Sequence, residues 1–269
     1  MRPHVCSFPT KAPSPSAGSP ASGTASPRGG TGLHAGSRTL PAAFWGGAAV
    51  SLAGAAATIG AEAAGRPNPH AGRWFYTPPL IVVLALHGCL KHRSGWLWVL
   101  GLAFSAVGDI TAQSENAFLL LLCSFLVAHL FSVKALWPYR GESWLGTKKS
   151  LLHLGLAVAG LAVVVPRAEP GMVGPVVAYG AVLGLMALLA TAAGRTGLLG
   201  GLLFIASDSV LAAGHFGIRI PEPLRTAAVI GTYAPAQVLL TAGWWRLTGA
   251  GAESAPLEAD GAVRAGVRA

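Results

Sequence analysis

Charge is what this sequence has least of. Only 11% of its 269 residues are Asp, Glu, Lys or Arg, less than half the share usual in soluble domains. Hydrophobic residues make up 52%, and the mean hydropathy is +0.55. So few polar groups cannot cover a surface that faces water, whereas a bilayer removes that requirement. Acidic residues are scarcest, with 10 Asp and Glu against 19 Lys and Arg, a net charge of +9. The excess does not mark a nucleic-acid partner, because the basic residues form no patch interleaved with aromatics. Cysteine is nearly absent too. Cys6, Cys89 and Cys123 form no CxxC pair, which excludes the common thiolate zinc patterns, and Cys89 and Cys123 read as small buried hydrophobes. No HExxH, GxSxG, P-loop or dinucleotide fingerprint occurs. Neither a metal nor a cofactor is implied.

What is present is apolar sequence in repeated blocks. Eight segments recur at about 41–61, 75–90, 95–112, 116–137, 149–166, 172–193, 196–216 and 224–247. Several fall short of the ~20 residues a crossing helix needs. The weakest is 75–90, which opens on Thr77-Pro78-Pro79, tolerable only in a first helical turn. The 36 glycines suit close helix approach in lipid. The expected fold class is an all-α membrane protein of about eight transmembrane helices.

Flanking stretches differ in composition. Residues 1–40 are rich in Pro, Ser and Gly and hold Arg2, Lys11, Arg28 and Arg38 with no acid. They read as a disordered basic tail rather than a signal peptide, since no apolar h-region precedes a cleavage site. The expected organisation is therefore a tail over 1–40, a helical domain over 41–248 and a second tail over 249–269. Counting Lys and Arg by side orients the chain. With the N-terminus cytoplasmic and eight crossings, fourteen basic residues face the cytoplasm. Five, Arg66, Arg73, Arg167, Arg219 and Arg225, face away. That asymmetry follows the positive-inside rule, with both termini cytoplasmic and the cell membrane as the expected location. Trp96, Trp98, Trp137, Trp244 and Trp245 then mark the cytoplasmic membrane interface.

Polar residues within apolar runs carry the chemistry. A carboxylate at mid-bilayer costs roughly 2.5–3.5 kcal/mol on insertion scales, so each needs a reason to be there. Asp109 lies in Leu102-Ala-Phe-Ser-Ala-Val-Gly-Asp-Ile110 and Asp208 in Leu202-Leu-Phe-Ile-Ala-Ser-Asp-Ser-Val210. Neither has Lys or Arg within a helical turn. By helix rise they sit roughly 21 and 18 Å from the cytoplasmic edge, and so can meet in the outer half of the bilayer. Two carboxyls sharing a dry site do not both ionise easily, which leaves one as acid and one as base. The alternative is that each only hydrogen-bonds a neighbouring helix. His129, in Phe125-Leu-Val-Ala-His-Leu-Phe131, is expected about 10 Å deeper by the same rise. It is open to substrate binding, proton relay or a satisfied core role. No second histidine at i+3 or i+4 accompanies it, so no zinc site is expected. Tyr233 and Gln237 share one face of the last helix, and Tyr179 lies near the aspartates in depth. Ser207 and Ser209 flank Asp208, Ser105 stands one turn before Asp109, and Gly108 allows close helix contact.

Five stretches, taken in order, resemble the YhhN family of membrane proteins, which includes the TMEM86-type lysoplasmalogenases. They are Gly101-Leu-Ala-Phe-Ser-Ala-Val-Gly-Asp109, Phe125-Leu-Val-Ala-His129, Tyr179-Gly-Ala-Val-Leu-Gly-Leu-Met186, Gly201-Leu-Leu-Phe-Ile-Ala-Ser-Asp-Ser209 and Gly231-Thr-Tyr-Ala-Pro-Ala-Gln237. The resemblance implies hydrolysis of the vinyl-ether bond of a lysophospholipid substrate, with no cofactor. It makes Asp109 and Asp208 the catalytic pair and His129, Tyr179, Ser207, Tyr233 and Gln237 candidate substrate contacts. Two positions depart from the family. Thr77-Pro78 stands where Lys-Pro is common, removing a cation suited to a phosphate headgroup, and Ser132 stands where a tyrosine often follows the histidine. The chemistry agrees with the residues. Protonating the vinyl-ether β-carbon gives an oxocarbenium ion that a carboxylate stabilises, as in glycoside cleavage. The competing expectations are a proton-coupled transporter and a noncatalytic membrane protein. An intramembrane aspartyl protease fits poorly, because Ala106 stands where its GxGD motif requires glycine. Nothing in the sequence specifies an oligomeric state.

Overall fold

The computed structural model describes residues 40–66, 69–91, 93–112 and 117–249. The two expected tails fall almost wholly outside that set. Eight α-helices follow one another among the described residues, with no strand: α1 (Ala42–Ala63), α2 (Pro78–Leu86), α3 (Arg93–Thr111), α4 (Phe118–Leu136), α5 (Ser150–Val164), α6 (Pro170–Ala190), α7 (Gly194–His215) and α8 (Glu222–Thr248). Among the described residues, five stretches are long and apolar enough to cross a membrane: Ala42–Ala63, Ser94–Thr111, Phe118–Glu142, Ser150–Arg167 and Pro170–His215, the last holding both α6 and α7. The protein is an all-α membrane protein.

The segment expected over 75–90 is more broken than its hydropathy suggests. A 3₁₀ turn, Pro69–Phe75, precedes α2, and a second, Cys89–Lys91, follows it. Pro78 and Pro79 have no N–H to give and so confine the helix start to their own position. Gly88, at φ 68°, ends it. Nine residues span only about 14 Å of helix. The first 3₁₀ turn is fastened to α1: the Ser51 hydroxyl donates to the Tyr76 carbonyl, and the Tyr76 hydroxyl donates to Thr58 Oγ1 at 2.9 Å.

The least apolar long helix is the most enclosed. α8 runs along α7 and also packs on α1. Its Tyr233, Gln237 and Thr241 are buried in the protein, not in lipid. A polar face is tolerable in a membrane only where it turns inward, which explains why α8 lacks the hydropathy of a lipid-facing span. α5 is the opposite case, because most of its leucines and valines are exposed on the outer face. α3 and α4 pair closely at Gly108, where a Cβ would come within 2.6 Å of the Phe125 ring. The helix contact expected from Gly108 is therefore made through an aromatic ring.

The five tryptophans divide between surface and core. Trp96 and Trp137 are exposed, at 53% and 45%, but Trp98, Trp244 and Trp245 are core residues at 3%, 0% and 4%. Trp98 stacks on Trp244 with centroids 5.4 Å apart and donates its indole N–H to Thr241 Oγ1 at 3.2 Å. Burial of Trp98 is supported by that partner, whereas the Trp244 indole N–H is buried without a hydrogen-bond partner among the described residues. Cys123 also departs from expectation: it is exposed on α4, whereas Cys89 is buried.

Candidate active site

α3, α4, α6, α7 and α8 converge on two tyrosine–aspartate pairs. Tyr233 of α8 donates its hydroxyl to Asp109 Oδ2 at 3.1 Å. Gln237, one turn further on, donates Nε2 to the same hydroxyl at 3.2 Å. The four-residue spacing that puts Tyr233 and Gln237 on one helix face thus builds a chain of hydrogen bonds ending on a carboxylate. The second pair is made by α6 and α7, where the Tyr179 hydroxyl donates to Asp208 Oδ2 in a short hydrogen bond. His129 Nε2 lies 3.1 Å from the Tyr179 hydroxyl and 3.9 Å from Asp208 Oδ2. Asp109 and His129 are 6% and 2% exposed.

His129 is therefore beside Asp208, and the expected depth gap of about 10 Å closes. It stands 11 residues past the start of α4, roughly 17 Å along the helix axis, while Asp208 is seven residues before the end of α7, roughly 10 Å. Every Cα–Cβ bond leans toward its helix N-terminus. Each side chain therefore ends away from the level of its own Cα, and the two meet with His129 Nε2 3.9 Å from Asp208 Oδ2. Counting helix rise alone missed this because it placed Cα atoms and not side-chain ends.

Asp109 and Asp208 line one cavity of ≈ 120 Å³, together with Arg73, Tyr76, Phe125, Ser207, Glu222, Arg225 and Tyr233. Aromatic rings separate the two carboxylates from the rest of the core. Tyr233 meets Phe125 and Phe204 edge-to-face at 5.7 and 5.4 Å, and Phe204 meets His129 edge-to-face at 4.8 Å. Asp208 also lines a second, largely apolar groove with residues of α4, α5 and α6, including Leu156, Gly160, Leu161, Gly180 and Leu183. Leu121, Asp208 and Leu211 form the partition shared by the two spaces.

The seven sequence candidates come together unequally. Tyr179, His129, Tyr233 and Gln237 act on the carboxylates through hydrogen bonds or close approach. Ser207 donates to the Val229 carbonyl at 3.0 Å and so ties α7 to α8. Ser105 lines a small neighbouring cavity with His129 and Gln237, and the hydrogen bond that reaches the Asp109 carboxylate comes from Tyr233. Sequence reasoning missed Arg73, Glu222 and Arg225, having counted the arginines only as topology charges. The available signals were the i, i+3 spacing of Glu222 and Arg225 and the position of Arg73 just before the Thr77-Pro78 break.

Arg73 Nη1 donates to the main-chain carbonyl of Asp109 at 3.3 Å. Burial pulls its pKa down, while Tyr76, Asp109 and Glu222 pull it back up; the guanidinium keeps its charge, as arginine does in proteins. Arg225 pairs with Glu222 at 2.7 Å. The cavity wall thus carries two guanidinium groups, Arg73 and Arg225, and three carboxyls, Asp109, Asp208 and Glu222.

No solved structure matches the chain significantly. Curated relatives do. The human protein named "Lysoplasmalogenase TMEM86B" (Homo sapiens) is 36% identical over 184 residues, covering 62% of this chain and 78% of the relative. The rat protein of that name (Rattus norvegicus) is 35% identical over 170 residues, covering 61% of this chain and 68% of the relative. The mouse protein (Mus musculus) is 35% identical over 150 residues, covering 55% and 62%. The model of the YhhN family matches residues 72–244. That stretch exceeds half the chain and runs from the 3₁₀ turn that holds Arg73 to Trp244 of α8, with both tyrosine–aspartate pairs inside it. The chain belongs to the YhhN family.

Proposed function

We propose that this protein is a lysoplasmalogenase that hydrolyses the vinyl-ether bond of a lysophospholipid, with Asp109 and Asp208 as its acid–base pair. The relatives bearing that name support the reaction. The observation that carries the site is that both carboxyl groups line one cavity while Asp208 also borders an apolar groove. A lysoplasmalogen has the same division, with its alkenyl chain on one side of the vinyl ether and its glycerol headgroup on the other. The chain occupies the groove between α4, α5, α6 and α7, and the vinyl ether rests at the partition beside Asp208.

In this arrangement Asp208, on the chain side, delivers a proton to the β-carbon of the vinyl ether. The double-bond electrons form the new C–H bond, and the ether oxygen shares the positive charge as an oxocarbenium ion. Asp109 takes a proton from a water that adds to the cationic carbon. The resulting hemiacetal collapses: the C–O bond to glycerol breaks, the hydroxyl proton is lost, and the glycerol oxygen gains a proton. A fatty aldehyde and a glycerophospho-base are released, with one water consumed. Tyr179 and Tyr233 each hold one carboxylate oxygen, leaving the other for proton transfer; His129 and Gln237 position the two tyrosines.

All eight helices cross the cell membrane in this reading, with both termini in the cytoplasm. The support is the fourteen-to-five division of basic residues. The reading is tested with purified protein and a lysoplasmalogen, following aldehyde release by mass spectrometry. Wild type releases aldehyde, and Asp109→Asn and Asp208→Asn each do not. Full turnover by either variant refutes the pair.

A further inference from the structure

Beside the two tyrosine–aspartate pairs, α3, α4, α6, α7 and α8 enclose a second, much smaller cavity lined by both His129 and Gln237. Its walls are mostly apolar, with Leu102, Met186 and Phe204 among them. It leaves ≈ 10 Å³ for the centre of a water molecule, about the room that one water needs. Two polar residues at the cavity are already bonded. The Trp98 indole N–H goes to Thr241 Oγ1, and the Ser132 hydroxyl goes to the Ala128 carbonyl. Three polar atoms there are not: among the described residues, no protein group bonds Ser105 Oγ, His129 Nδ1 or Gln237 Oε1. Their residues are 3%, 2% and 4% exposed, so bulk solvent does not serve them.

The directions of the neighbouring hydrogen bonds fix what these atoms do. The Tyr179 hydroxyl has one proton and gives it to Asp208 Oδ2. Its contact with His129 therefore needs the proton on Nε2, which leaves Nδ1 of the neutral ring as an acceptor. Tyr233 likewise spends its proton on Asp109. Gln237 therefore presents its amide NH₂ to that oxygen, and its Oε1 is an acceptor too. Two buried acceptors thus face one cavity, and the Ser105 hydroxyl is the one unspent donor beside them. A single serine proton cannot serve both. We propose that this cavity binds one structural water, and that Ser105 is a positioning residue that holds it. The water donates one proton to Gln237 Oε1 and one to His129 Nδ1, and accepts the proton of Ser105. Three such bonds are usual for a buried water. No carboxylate lines the cavity, so a neutral donor fits it better than a cation. With the water in place, bonds run unbroken from Asp109 through Tyr233, Gln237, the water, His129 and Tyr179 to Asp208. The two carboxylates are then oriented as one unit. The water site rests on hydrogen bonding alone; its effect on rate rests on the lysoplasmalogenase reading.

The test is the nitrogen-15 spectrum of the histidine-labelled full chain in detergent, with the His129 signals assigned by their loss in His129→Gln. Ser105→Ala removes the serine proton and leaves room for the water, whereas Ser105→Val fills that room. In wild type Nε2 is expected to be protonated and Nδ1 to show the shift of a hydrogen-bonded acceptor. Ser105→Ala keeps that Nδ1 shift, because the water still donates. Ser105→Val moves it to the position of a free lone pair, while Nε2 stays protonated, as it would not in a misfolded protein. Aldehyde release is the second readout. Ser105→Ala is expected to lower kcat by about two- to tenfold at unchanged KM, the value of one neutral hydrogen bond, and Ser105→Val by more. An Nδ1 that shifts as far in Ser105→Ala as in Ser105→Val means that serine donates directly, which overturns the water. A wild-type Nδ1 that carries the proton, or one that Ser105→Val leaves unmoved, overturns it as well. Should Ser105→Val not fold, Ser105→Ala alone decides between water and serine as the donor. Wild-type kcat in both variants overturns the positioning role of Ser105. If wild type releases no aldehyde, the hydrolase reading fails, and the histidine spectrum still decides the water.

Discussion

Removing one oxygen atom from Tyr179 tests whether the site works as a unit. In Tyr179→Phe the ring stays against His129, whose centroid is 5.5 Å away, so no cavity opens. Two interactions vanish: the hydrogen bond to Asp208 Oδ2 and the 3.1 Å contact with His129 Nε2. A neutral hydrogen bond contributes about 1 kcal/mol net and one to a charged group about 1.5–3 kcal/mol, so the pair is worth roughly 2.5–4 kcal/mol. At 1.36 kcal/mol per factor of ten, that is roughly 70- to 900-fold if all of it is expressed in the transition state. Part is expressed in ground-state stability instead, so kcat is expected to fall at least about tenfold with KM little changed. His129 cannot replace the phenol, because at 3.9 Å from Asp208 Oδ2 it is beyond hydrogen-bond reach. The assay is initial-rate aldehyde release, run on Tyr179→Phe, His129→Gln and the double variant. A chain of groups acting through one carboxylate is non-additive, so the double variant should be about as slow as Tyr179→Phe alone. Wild-type kcat in Tyr179→Phe, or two losses that simply multiply, refutes the positioning role.

Two further outcomes follow from packing. Gly108→Ala drives a Cβ to within 2.6 Å of the Phe125 ring, beside Asp109, and is expected to destabilise by about 1–3 kcal/mol as overpacked cores do. Gly46→Ala, with nothing within 4 Å of its added Cβ, is expected to be neutral or to stabilise by up to about 1 kcal/mol through helix propensity; thermal unfolding of both in the same detergent checks the contrast. Gly160→Leu places a branched side chain in the apolar groove and should raise KM for long alkenyl chains more than for short ones, read from a chain-length series of substrates.

Much of this protein could be read from residue order because lipid imposes a simple rule. A stretch of twenty apolar residues has few options other than a helix, since every backbone polar group must be satisfied within the segment. α1, α4 and α6 therefore follow hydropathy directly. Asp109, Asp208 and His129 stood out for the same reason: each is a costly residue in an apolar run. Hydropathy failed where a helix faces protein instead of lipid. α8 is less apolar than a free span because its polar face is spent on Asp109 and Trp98, and the tryptophans at its end pack in the core.

Local sequence determined where most helices start and stop and which side chains cannot tolerate lipid. Only the tertiary structure decided which of these residues meet. Asp109 and Tyr233 are 124 positions apart and touch; His129 reaches Tyr179 across 50. Such contacts depend on which helices pack together and on where their side chains end, neither of which leaves a periodic trace in the sequence. The arginines show the same limit. A cation in a short loop has one appearance in sequence whether it only orients the chain in the membrane or also faces a buried carboxylate, and the folded path of the 3₁₀ turn over α1 is what brings Arg73 to that cavity.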